Sequence, residues 1–194
     1  MELISEAYRQ QQIELHKDPD YGYAGIVFAP VVATLINKFG LEEVLDYGAG
    51  KLGMFKALNG KVEHPIRMQA YEPASEDLEL RLPPLPSQFV TCISVLEHVE
   101  PEYLDAVFSD LQRVTKQVIF LTIGTKPARR RLPDGRNTHL TIKPPEWWLP
   151  RIMQRFELQT YQKTVDGFAV TATALFNEAE VRIVTENTQL MGGE

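Results

Sequence analysis

At 194 residues, 44% hydrophobic and 24% charged, the chain has the size of one globular domain and enough apolar content to bury a core. Its net charge of −6 disfavours broad attraction to duplex nucleic acid or anionic membrane, both of which need a basic face. The single cysteine, Cys92, excludes an internal disulfide, and its apolar neighbours read as the surroundings of a buried, inert thiol in a reducing compartment. Residues 1–6 show no basic region followed by an apolar stretch, and no run approaches the ~20 apolar residues that span a bilayer; a cytoplasmic location is expected.

In chain order, residues 3–16 are rich in Glu and Gln and predict a helix, followed by loop chemistry over residues 17–25. Phe28, Val31, Val32, Leu35, Ile36 and Phe39 recur at helical spacing, with Pro30 expected in the first turn, Gly40 as the stop and that face as core. Residues 43–46 read as a short buried strand, residues 48–53 as a glycine-rich turn and residues 52–58 as the helix leaving it. Residues 66–71 and 89–95 read as further strands, the second β-branched enough to be central and parallel. Leu104, Val107, Phe108, Leu111 and Val114 define another helix, and residues 117–123 another buried strand. A helix at residues 145–154 precedes two strands, 156–162 and 168–175, joined through Val165-Asp166-Gly167 as a hairpin. A last short strand is expected at residues 181–184.

Alternating strands and helices predict an α/β fold: a Rossmann-like, open, mainly parallel sheet with helices on both faces and a C-terminal antiparallel hairpin. The expected organisation is one domain over 1–194, with a helical flap in 1–40, a core in 41–176 and a tail in 177–194.

Gly48, Gly50 and Gly53 satisfy Gly-x-Gly-x-x-Gly, and Glu72 stands at the end of the next strand, about where an acidic ribose-binding residue is expected. Glycines let a backbone approach a ligand closely, and a strand-end carboxylate can accept the protons of both ribose hydroxyls. The same glycines also suit tight strand-to-helix packing without a ligand. Three details favour S-adenosylmethionine over NAD: the helix and loop of residues 1–40 before the first strand, the hairpin at the end of the pattern, and Asp46 just before the first glycine, an acidic partner for the charged amino-acid end of the cofactor.

The set Leu45-Asp46-Tyr47-Gly48-Ala49-Gly50, Tyr71-Glu72-Pro73 and Val95-Leu96-Glu97-His98-Val99, closed by a hairpin, resembles the class I S-adenosylmethionine-dependent methyltransferases over about residues 40–176. Leu15-His16, Tyr21-Gly22 and Asp134-Gly135-Arg136-Asn137-Thr138-His139 make it most similar to compact bacterial and phage members. The resemblance implies that Asp46, Gly48, Ala49 and Gly50 line the methionine and ribose side of the cofactor, that Glu72 holds the ribose hydroxyls, and that Pro73, Val95 and Tyr21 complete the pocket. Two departures stand out. Leu52 occupies the place of the family's third glycine, and only 16 residues separate Glu72 from Phe89, Pro83, Pro84 and Pro86 among them. The usual third strand and the acidic residue that contacts adenine are thereby in question, with Leu80, Leu82 or Leu85 as alternative adenine contacts.

S-adenosylmethionine carries an activated methyl group, so its enzymes mainly align a nucleophile and exclude water; a base is needed only for a protonated acceptor, a task suited to histidine. His139 and His98 are the candidate catalytic residues, each with a structural alternative in loop organisation or pocket lining. His16, Arg129, Arg136 and Asn137 are candidates for contact with the acceptor, the basic run of residues 129–131 reading otherwise as a solvated loop. Trp147-Trp148 reads as core. No DNA-methyltransferase Asn-Pro-Pro-Tyr or Pro-Cys segment and no Gly-x-Ser-x-Gly elbow is present. The four histidines show no ligand spacing, so no metal is expected. The expected activity is methyl transfer to a small-molecule or nucleotide-like acceptor. Competing readings are a non-catalytic S-adenosylmethionine-binding or partner-binding domain and an NAD-dependent oxidoreductase.

Overall fold

The computed structural model describes residues 2–22 and 24–175. Six strands form one sheet in the order β2-β1-β3-β4-β6-β5: β1 (Glu43–Tyr47), β2 (Arg67–Tyr71), β3 (Ser87–Ile93), β4 (Thr115–Gly124), β5 (Phe156–Lys163) and β6 (Gly167–Ala174). The first four are parallel, β6 is antiparallel to β4, and β5 pairs antiparallel with β6. Around them stand α1 (Glu6–His16), α2 (Ala24–Phe39), α3 (Gly53–Leu58), α4 (Leu104–Val114) and α5 (Pro145–Met153).

The strands sort their side chains with a period of two. Val44, Phe89, Ile93, Val118 and Phe120 face one way and meet Val32, Ile36, Met54 and Leu58 of α2 and α3. Leu45, Val90, Cys92, Ile119 and Leu121 face the other way and meet Phe108, Leu111, Trp148 and Ile152 of α4 and α5. Helices thus cover both faces, as near-continuous apolar strands require. Cys92 is buried inside the second layer.

The third strand expected of the fold is absent among the described residues. After β2 the chain runs through a 3-10 turn at Glu79–Arg81 directly into β3, leaving β2 as a sheet edge. The prolines there explain it, since Pro83, Pro84 and Pro86 remove the backbone donors that an inserted strand would need.

Helix α2 corrects one expectation. It starts at Ala24, so Pro30 lies inside the helix rather than in its first turn. Its buried stripe is Ala29, Val32, Ala33 and Ile36, whereas Val31 and Phe39 are exposed. The large apolar residues set the helical period, but the small alanines allow the close approach to the sheet. The strand expected at residues 181–184 lies outside the described residues. Among the described residues no helix is long and apolar enough to cross a membrane.

Candidate functional site

Strand order reverses between β2-β1 and β3-β4, and the carboxyl ends of β1 and β3 diverge there into a cleft, the place where open α/β sheets bind ligands. The turn after β1 forms its floor. Tyr71 carbonyl oxygen accepts both the Gly48 and Ala49 amides, at 2.8 and 3.0 Å, which ties the turn to the end of β2. Gly48 has φ +79°, and a Cβ on it would lie 2.4 Å from Val95 Cγ2, so conformation and space both demand glycine. Leu52, where the resemblance expects glycine, adopts the left-handed conformation with φ +60° and opens α3. It takes a glycine's backbone at a cost of about 1–2 kcal/mol.

Two carboxylates flank this turn. Glu72 is buried, and each of its oxygens accepts a backbone amide at 2.9 Å, Oε2 from Gly50 and Oε1 from Ala74. Asp46 is buried on β1 and accepts the Thr91 hydroxyl at 2.9 Å. Burial pushes the Asp46 carboxyl up to about 7, opposed by the Thr91 hydrogen bond and reinforced by the negative charge of Glu72. A cationic ligand would restore its charge.

The N-terminal segment roofs the cleft. Ser5 donates its amide and hydroxyl to the buried Glu100 carboxylate at 2.9 and 2.7 Å. The Tyr8 hydroxyl donates to His98 carbonyl oxygen at 2.6 Å, Gln12 donates to the Tyr8 hydroxyl at 2.6 Å, and the Tyr21 hydroxyl donates to Gln12 Oε1 at 3.0 Å. The loop after α1 is fastened by Arg130, which pairs with Asp18 and donates to Asp20 carbonyl oxygen. The cavity beneath is lined by Asp46, Gly48, Ala49, Gly50, Glu72, Pro73, Val95, Tyr21, His16 and His98 from the sequence-based candidates, and by Tyr8, Gln12, Met54, Ser94 and Glu100 besides. The second group escaped sequence reasoning because its members carry no motif. Tyr8 and Gln12 share one helical face at i, i+4, and that spacing was their only signal.

The remaining candidates fall elsewhere. None of residues 125–139 lines the cavity, nor do Leu80, Leu82 and Leu85; Leu82 and Leu85 point to solvent, at 64% and 70% exposure. Asn137 organises its own loop, accepting the Ala128 and His139 amides and donating to Ala128 carbonyl oxygen. Arg136 pairs with Asp134, and Arg129 is exposed. Trp148 is wholly buried.

At one end of the cavity the chain leaves β3 through Ser94, φ +52°, and a 3-10 turn at Leu96–His98 places Glu97 and His98. Sequence separation hid what folding joins: one ligand atom each from Glu97, His98 and His139 lies within 4.8 Å of the others. The two imidazoles meet edge to face, centroids 4.8 Å apart. Burial pushes the Glu97 carboxyl up to about 7. Burial, then the neighbouring His139, lowers His98 to about 3.

No protein-family model matches the chain, and no curated protein matches it in sequence. Solved structures do. The 1,6-didemethyltoxoflavin-N1-methyltransferase of Burkholderia thailandensis, crystallised with bound 1,6-didemethyltoxoflavin and S-adenosylhomocysteine, aligns over 85% of this chain and 84% of its own at TM-score 0.54 and 15% identity. The chain has the class I methyltransferase fold. A S-adenosylmethionine-dependent methyltransferase of Aquifex aeolicus aligns over 84% of this chain and 98% of its own at TM-score 0.54 and 18% identity. Mitomycin 7-O-methyltransferase aligns over 84% and 60% at TM-score 0.59 and 11% identity. At these identities the class I likeness is one of fold, and the parallel strands closed by an antiparallel hairpin are its basis.

Proposed function

We propose that the protein binds S-adenosylmethionine in the cavity at the β1–β3 switch and transfers its methyl group to a small-molecule or nucleotide-like acceptor. The observation that carries this reading is the pair of buried carboxylates on either side of the Gly48–Gly50 turn. Glu72, held in place by two backbone amides, keeps lone pairs for ribose hydroxyls. Asp46, held partly uncharged by burial, gains from the positive amino-acid end of the ligand. The solved methyltransferases of the same fold, one of them holding S-adenosylhomocysteine, support the choice of cofactor.

Methyl transfer from a sulfonium needs alignment and exclusion of water more than covalent chemistry. The roof of Tyr8, Gln12 and Tyr21 supplies the exclusion. The acceptor end is the side of His98, whose Nδ1 donates to Thr138 carbonyl oxygen at 2.8 Å, so that Nε2 carries the lone pair and serves to orient an acceptor. With its basicity lowered by burial, His98 is a poor proton acceptor; His139 stands edge-on behind it, outside the cavity lining. Titration calorimetry with S-adenosylhomocysteine tests the reading: saturable binding that Glu72→Ala weakens at least tenfold is expected, and no binding at millimolar ligand would overturn it.

A further inference from the structure

We propose that Glu97, His98 and His139 form a binding site for a divalent first-row transition-metal ion at the acceptor end of the cavity. Glu97 is 1% exposed, its Oε1 accepts the Gly124 amide at 2.8 Å, and its Oε2 has no hydrogen-bond partner. A buried carboxylate oxygen without a partner is costly unless something compensates it. Beside Glu97 stands a pair of imidazoles, one ligand atom from each of the three residues lying within 4.8 Å of the others.

Both rings are held as metal-binding histidines are. His98 Nδ1 donates to Thr138 carbonyl oxygen at 2.8 Å, and His139 Nδ1 donates to Lys126 carbonyl oxygen at 2.6 Å. A carbonyl only accepts, so each proton resides on Nδ1 and each Nε2 of the neutral ring keeps its lone pair. Such outer hydrogen bonds fix tautomer and orientation and raise ligand basicity. The backbone behind the ligands is tied by hydrogen bonds. Glu97 and His98 sit on the 3-10 turn after β3, and His139 sits on the loop clamped by Asn137. Gly124 closes the back: a Cβ there would lie 2.9 Å from both Glu97 Oε1 and His139 Cε1, so its absence leaves room for the cluster.

Two imidazoles and one carboxylate suit zinc, manganese, iron or cobalt and leave coordination positions open, as in catalytic rather than structural sites. Metal–ligand bonds of about 2.0–2.2 Å require the three groups to draw together from the separation seen here. His98 also lines the cavity, so an ion held by it adjoins the place of the acceptor. An oxygen-bearing acceptor is then the class that an open position would hold, an extension that rests on the methyltransferase reading.

The test is titration of the metal-free, full-length protein with Co2+ and Zn2+, followed by calorimetry and by the visible absorption of bound Co2+. One saturable equivalent is expected, with a Co2+ spectrum showing nitrogen ligation. Affinity is expected to fall at least tenfold in His139→Ala and in Glu97→Gln, the latter keeping an acceptor for the Gly124 amide, and to be unchanged in His64→Ala, a histidine remote from the cluster. Circular dichroism and thermal melting confirm that each variant is folded. Absence of saturable binding, or equal binding by wild type and the two cluster variants, would overturn the site. Binding of S-adenosylhomocysteine, measured separately in the absence of metal, reports on the cofactor reading, so either proposal can fail without the other.

Discussion

Asp46 gives the site a pH signature. Its carboxyl holds a proton up to about 7 in the folded protein, whereas an unfolded chain releases it near the ordinary value of 3.8. The folded state therefore binds the extra proton between these limits, so this contribution is complete below about 4 and is lost as pH rises through about 7. Glu97 and His98 titrate across the same window with opposite signs, so the Asp46 contribution is read as a difference: in denaturant unfolding of the unliganded protein, the stability of wild type relative to Asp46→Asn is expected to fall as pH rises from about 4 to about 7 by an amount on the order of a few kcal/mol. Ligand affinity runs in the opposite sense: a cationic ligand binds the carboxylate form, so S-adenosylmethionine is expected to bind more tightly from pH 6 to pH 8 in wild type but not in Asp46→Asn. Gly48→Ala is expected to cost about 2–3 kcal/mol in chemical denaturation, because strained backbone and overpacking against Val95 add. Asp46, Gly48 and Glu72 were legible because strand, turn and strand end follow one another in sequence. Glu97 was not, since an acidic residue beside a histidine carries no sign of being buried with one oxygen unpaired.

At the scale of elements, α1 and the loop behind it act as a strap rather than as part of the core. Its connections include Ser5 to Glu100, Tyr8 to His98, Lys51 to Asp18, Arg130 to Asp18 and Asp20, and the ring contact of Tyr21 with His98. The Arg130–Asp18 pair is partly solvent-exposed, and such pairs contribute ~1 kcal/mol or less. Arg130→Ala is therefore expected to leave global stability nearly unchanged while weakening S-adenosylhomocysteine several-fold. Hydrogen exchange is expected to show faster exchange confined to residues 6–22. Preservation of the exchange rates would show that Arg130 does not fasten the strap. The helix itself was readable from its Glu and Gln content, and the loop from its Asp, Pro and Gly. The partner of the strap was not, because Arg130 lies in a basic run that reads as a solvated patch until the fold lays Asp18 beside it. The same blindness put residues 125–139 at the pocket wall: Asn137 folds that loop on itself and none of it lines the main cavity, although His139 stands against His98 at its edge.

The molecule as a whole follows from period and punctuation: β-branched runs built the central strands β3 and β4, Val165-Asp166-Gly167 leads through the hairpin, and the two-residue alternation of β1, β3 and β4 divided the core between two helical layers. The interval between Glu72 and Phe89 proved too short and too rich in proline for another strand, and only the structure showed what replaces it. From Ala74 the wall of the cavity passes directly to Ile93, and no residue of 75–92 lines it. If the cofactor lies as proposed, its purine would meet the aperture that this segment leaves. Cofactor analogues enlarged at the purine amino group are expected to compete with S-adenosylhomocysteine at close to its own affinity, whereas changes to the ribose hydroxyls are penalised through Glu72. Strong rejection of the enlarged purines in a competition assay would show that the aperture closes. On the proposed reading, such a shape would hold the cofactor by its sugar and amino acid and leave the base as a handle reachable from outside.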